Sequence, residues 1–264
     1  MPLRRWWLGA ATGVTPKLLC LLHSQPLVPI LRRAYMSWLF SFWRSSIGGK
    51  VTMAVTGVLL FGFVVVHLLG NLQLLAGAEA INGYATWLQD RGALLWLARI
   101  GLLLVFVLHI VTGVRLSREN RAARPVRYAH AATVQASWAS RSMVFTGLTT
   151  LLFVVYHLLH YTFGVTNPGD FARRSQGYGG HDVFAMATAS FSHPGIAAAY
   201  VLAQIVLFFH LAHGIQSLCQ TLGVNHDRYT PLIHKLSLLL AALVTGGNSL
   251  LALSVLTHLV VARP

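Results

Sequence analysis

Four histidines stand inside apolar sequence in two matched pairs. Residues 53–69 read MAVTGVLLFGFVVVHLL and residues 143–159 read MVFTGLTTLLFVVYHLL, so Met53, Thr56, Gly57, Phe63, Val64, Val65, His67, Leu68 and Leu69 recur as Met143, Thr146, Gly147, Phe153, Val154, Val155, His157, Leu158 and Leu159. A second phrase is doubled as His109-Ile-Val-Thr-Gly113-Val114 and His210-Leu-Ala-His-Gly214-Ile215. An ionisable side chain in such surroundings is costly, and it marks a functional site by default. Two neutral imidazoles facing each other across a helix bundle are the usual axial ligands of a b-type haem. With both axial positions filled, such a haem favours electron transfer over oxygen chemistry. The residues thus point to two haem b groups, one ligated by His67 with His157 and one by His109 with His210. Small residues near the ligands, Gly57, Gly62, Gly70, Gly101, Gly113, Gly147 and Gly214, suit a flat macrocycle against the backbone, or close helix contact.

Long apolar helices must position these side chains. The chain has 264 residues, 55% of them hydrophobic and 10% charged, with a mean hydropathy of +0.62. That balance belongs to a membrane protein. Stretches long enough to cross a bilayer, roughly 20 residues each, fall near 51–76, 94–116, 142–165, 195–221 and 233–261. Inside hydrocarbon the backbone must satisfy its own hydrogen bonds, so these are helices. The expected architecture is all-α: a bundle of five transmembrane helices over residues 46–264 enclosing two b-type haems, preceded by an interfacial segment, 1–45. Trp6, Trp7, Trp38 and Trp43 beside arginines give that segment its interfacial character.

The net charge of +14 could suggest nucleic acid, but its distribution does not. Lys and Arg crowd 1–50, 115–141 and 222–235, while 77–93 and 166–194 are nearly neutral. This alternation follows the positive-inside rule. It places the N-terminus in the cytoplasm and the C-terminus outside, with basic surface toward membrane lipid or an acidic partner. Cys20 and Cys219 form no C-x-x-C or C-x-x-C-H phrase. No phosphate loop, dinucleotide fingerprint, acyl-transfer triad or paired carboxylates appear.

Topology then assigns depth. Helices one and three run outward and helices two and four inward. His67 and His157 each lie about four residues beyond mid-span, roughly 6 Å toward the outside; His109 and His210 form the inner pair. Lys50, Arg115, Ser140, Arg141 and Ser142 lie at the depth where an inner haem's propionates would seek partners. His160 and His213 fall outside the repeat and read as neighbours of the ligands or of a quinone. His258 sits near the outer end of helix five, and His130, His181, His193, His226 and His234 read as solvated. Asn82 to Leu88 forms a short interfacial helix, and 167–194 is a long polar outer loop.

These residues resemble a family. Ser45-Ser-Ile-Gly48-x-Lys50 before helix one, His67-Leu-Leu-Gly-Asn71, Asn82-x-Tyr84, His109-x-x-x-Gly113, Tyr156-His157, and His210-x-x-x-Gly214 followed by Gln220-Thr-Leu-Gly-Val-Asn225 are similar to the cytochrome b membrane anchor of succinate dehydrogenase or fumarate reductase. The form resembled is the single-polypeptide, five-helix, di-haem one, and the likeness spans about residues 44–262. It implies a plasma-membrane complex with a flavoprotein subunit that oxidises succinate and an iron–sulfur subunit on the cytoplasmic face. Electrons would reach a quinone, menaquinone by the resemblance, through this chain's haems. No succinate chemistry falls on the chain itself. The family's quinone-side acid has no counterpart here beyond Glu79 and Asp90. Without the resemblance two rivals stay open: a di-haem anchor of another oxidoreductase, such as a formate dehydrogenase or hydrogenase, and a haem-free transporter whose histidines relay protons.

Overall fold

The computed structural model describes residues 38, 40–123, 138–175, 177 and 180–260. Most of the interfacial segment, the stretch holding Arg124, Arg127 and His130, and Cys20 lie outside these residues. The described residues form helices and one isolated antiparallel bridge, Arg174 with His181. The chain divides into two units between Gly48 and Gly49.

Five helices are long and apolar enough to cross a membrane: Ser46–Ala76, Ala93–Ala122, Met143–Thr162, Pro194–Thr221 and Thr230–Leu256. They coincide with the five expected spans. The first is two pieces, α1 (Ser46–Asn71) and α2 (Gln73–Ala76). After Gly77 comes α3 (Ala78–Gln89), the short helix expected around Asn82–Leu88. The second span is α4 (Ala93–Ala122). A turn, α5 (Trp138–Arg141), leads into the third span, α6 (Met143–His157), whose last turn widens into a π-helix over Leu158–Thr162. Two short helices follow, α7 (Pro168–Phe171) and α8 (Val183–Phe191). The last spans are α9 (Pro194–Thr221) and α10 (Thr230–Leu256).

Local chemistry sets the boundaries. Ser45 Oγ accepts a hydrogen bond from Gly48 N at 2.9 Å, the bond of a helix N-cap to the third helical residue. The Ser45–Lys50 phrase therefore opens helix one rather than preceding it. Proline occupies a first-turn position of α7, α9 and α10, where no backbone N–H is needed. Helix five ends at Leu256, short of the expected 261, because His258 takes a left-handed turn at φ 60°.

The outward surface is apolar. None of the most apolar stretch of α4, mean hydropathy 2.4, is buried within the protein. A helix hydrophobic all round suits a lipid surround. The core gathers at one end: Leu68, Leu74, Ile81, Phe184, Ala187, Phe191, Ala197, Tyr200, Leu251, Ala252 and Val255 pack together there.

That core corrects the expectation of a polar outer loop at 167–194. Within it α8 is among the most buried elements, with Phe184, Met186, Ala187, Thr188, Ser190 and Phe191 all inside. Its apolar residues recur at helical spacing but over too short a run to register as a span. Asp182 caps it by accepting from Ala185 N at 2.9 Å. Buried Asn82 on α3 ties it down, donating to Asp182 Oδ1 at 3.0 Å and accepting from Phe184 N at 3.2 Å.

Candidate redox site

The four repeated histidines meet in two pairs. The rings of His67 on α1 and His157 on α6 have centroids 5.8 Å apart with planes at 90°. Those of His109 on α4 and His210 on α9 lie 6.4 Å apart at 68°. The pairs occupy different depths. Thr56 of α1 contacts His109, whereas His67, eleven residues further along, contacts His157. At 1.5 Å per residue the levels are about 16 Å apart along α1.

Each half of the repeat makes the same contacts. Thr56 Oγ1 lies 3.0 Å from His109 Nδ1, and Thr146 Oγ1 lies 3.3 Å from His210 Nδ1. Beside them, a Cβ on Gly57 would stand 3.7 Å from His109 Cε1, and one on Gly147 3.2 Å from His210 Cε1. Phe63 stacks on His67 at 5.4 Å, and Phe153 lies 5.9 Å from His157. The first phrase of each half thus seats the histidine of the second phrase, and both pairs form where the halves meet.

Of the other glycines, Gly70 receives the Tyr84 ring, 2.6 Å from where a Cβ would stand, and Gly113 faces Met53 at 3.5 Å. A Cβ on Gly62, Gly101 or Gly214 would meet nothing within 4 Å, so close helix contact does not account for these three.

The surroundings of the pairs differ. Tyr200 Oη on α9 lies 3.4 Å from His157 Nδ1 and 2.9 Å from His160 Nδ1. His160 Nε2 lies 3.0 Å from Ser190 Oγ. His160 is wholly buried, with a hydroxyl at each nitrogen, and so stands beside the pair rather than in it. The π turn matters here. Phe163 N bonds Leu158 O at 2.9 Å across five residues, so a regular α-helical angle between His157 and His160 does not apply. Sequence reasoning passed over Tyr200 and Ser190, which lie outside the repeat.

His213 is half-buried, one turn from His210, and His258 is exposed. His181 is not simply solvated: its Nδ1 lies 2.7 Å from Phe171 O, and its backbone pairs with Arg174. Lys50 and Arg141 are exposed. Arg115 pairs with Glu119 at 3.3 Å, its guanidinium lying against Gly49. Glu79 lies in the first turn of α3 and Asp90 caps its end.

A cavity of about 440 Å³ opens at the His67–His157 end, lined by Trp96, Arg99, Tyr161, His181 and Met186 among others. The Tyr161 and His157 ring centroids are 5.6 Å apart.

The donor set can be tested against haem. Among the described residues, His, Cys, Asp and Glu nowhere gather in threes as they would around a bare ion. Two imidazoles alone suit an iron whose other four donors come from a macrocycle. With metal–nitrogen bonds of about 2 Å, axial rings on one iron have centroids about 6 Å apart, close to both separations found. Thr112, one turn from His109, is wholly buried and its hydroxyl has no protein partner. The residues present fit the group.

Five helices long and apolar enough to cross a membrane, with two pairs of imidazoles among them, define the class, a multi-pass membrane protein. Residues 117–247 match the family described as succinate dehydrogenase/fumarate reductase transmembrane subunit, and the chain belongs to that family. The match takes in α6 and α9, with His157 and His210, whereas α1 and most of α4 precede it. No curated protein and no solved structure matches the chain.

Proposed function

We propose that this chain is the di-haem cytochrome b anchor of a succinate:quinone oxidoreductase. It would relay electrons between an iron–sulfur partner subunit, itself joined to a flavoprotein, and a quinone of the menaquinone type. The observation that carries the reading is the meeting of four repeated histidines in two pairs, at 5.8 and 6.4 Å. His67 and His157 would hold one haem b iron toward the outer face, and His109 and His210 the other toward the cytoplasmic face. Haem b supplies one-electron transfer when bound.

The chain's own residues supply position and surroundings. Phe63 and Phe153 pack on the outer imidazoles, and Tyr200 holds a hydroxyl to His157. Lys50 of α1, Arg115 of α4 and Arg141, which ends α5, would share the inner end of the bundle and offer cationic partners to propionates there. The 440 Å³ cavity beside Tyr161 is within the size range of small-molecule pockets and is the candidate quinone site. The alternation of basic and neutral loops supports a plasma-membrane protein with a cytoplasmic N-terminus.

Purification in mild detergent tests the proposal. The expected result is two haem b per chain with flavoprotein and iron–sulfur subunits co-purifying. A reduced-minus-oxidised spectrum with no b-type α band would sink it.

A further inference from the structure

The doubled Thr-Gly dipeptide has a role of its own. A hydroxyl has one proton to give and two lone pairs to accept with. Thr56 Oγ1 lies 2.7 Å from Thr52 O and 3.2 Å from Met53 O, carbonyl oxygens that only accept. Its proton is therefore spent on its own helix, and toward His109, at 3.0 Å, it presents a lone pair. Thr146 keeps the second of these carbonyl contacts, to Met143 O at 3.2 Å, and the approach to the imidazole, with His210 Nδ1 at 3.3 Å. Both threonines are buried, so water does not compete for the imidazoles.

We infer that Thr56 and Thr146 are positioning residues that hold His109 and His210 as Nδ1–H tautomers, leaving both Nε2 lone pairs for iron. The inference rests on the di-haem reading above. In each seat the threonine fixes the rotation of the ring by a hydrogen bond, and in the second Gly147 also leaves room for the Cε1 edge of His210, which a Cβ would meet at 3.2 Å. The outer pair lacks this seat, since His157 has the Tyr200 hydroxyl and His67 stacks on Phe63. An acceptor on the far nitrogen also makes an imidazole a more basic ligand, which favours oxidised iron. The chain thus distinguishes its two centres with a dipeptide it repeats.

The test is a potentiometric titration of the b-type bands in the purified complex, with Thr56→Val, Thr146→Val and Thr56→Ser. Each valine variant is expected to shift one of the two potentials upward, the same one in both, and leave the other unchanged. Serine is expected to restore the wild-type value. Because the two threonines lie on different helices and address one centre, Thr146→Val carries the test if Thr56→Val does not assemble. Two wild-type haems with unshifted valine variants overturn the threonine inference alone. So does a shift in the haem lost on His67→Ala, or a serine variant that behaves as valine. A wild-type complex without b haem overturns the di-haem reading itself.

Discussion

The hydroxyl of Tyr200 lies 2.9 Å from Nδ1 of His160, and it is the point where α9 meets the π turn that ends α6. With one proton it can donate to one imidazole nitrogen and accept from the other, so it orders His157 and His160 together. Tyr200→Phe keeps the ring and removes this bridge. It is expected to cost about 1–3 kcal/mol, the penalty for leaving a buried polar group unmatched. Thermal unfolding in detergent measures it, and an unchanged midpoint would contradict the bridge.

The pairing of histidines makes a sharper prediction. His67→Ala and His157→Ala should each abolish the same b-type band and leave the other, while His109→Ala and His210→Ala abolish the second. His160→Ala should retain both bands, because its nitrogens already face Tyr200 and Ser190. Difference spectra of the five variants decide. Loss of the same band in His67→Ala and in His109→Ala would refute the pairing.

Asn82 and Asp182 should act as one unit. Asn82→Ala leaves Asp182 and Phe184 N without their partner, and a loss of about 1–3 kcal/mol is expected. Asp182→Ala also removes the cap of α8. Their costs should be non-additive. Protease cleavage between α6 and α8 should quicken in both variants, and strictly additive unfolding costs would show that the two residues act apart.

Gly70 should accept a side chain only if the Tyr84 ring moves aside. A Cβ there would stand 2.6 Å from the Tyr84 ring, well inside contact distance. Gly70→Ala is expected to destabilise by about 1–3 kcal/mol through overpacking. Tyr84→Ala in the same chain should recover part of the loss. If the double variant were no more stable than Gly70→Ala alone, the steric explanation would fail.

The residues themselves determined much of this protein. Apolar length set the five spans, since a backbone inside lipid has no alternative to helix. The repeat picks out His67, His157, His109 and His210, and opposite helix directions sort them by depth. Thr56 and Thr146 were visible in the same repeat, but a one-dimensional phrase does not say which imidazole a hydroxyl will meet. That meeting depends on how α1 lies against α4, and α6 against α9. Tertiary structure alone decided the rest. Whether 167–194 was a loop or a buried helix turned on packing against Leu251, Ala252 and Val255 of α10, far along the chain. The place of His160 depended on the π turn and on Tyr200, 40 residues away. Burial of a polar side chain becomes tolerable only when the fold brings it a partner, and for His160, Asn82 and Asp182 those partners come from other elements of the bundle.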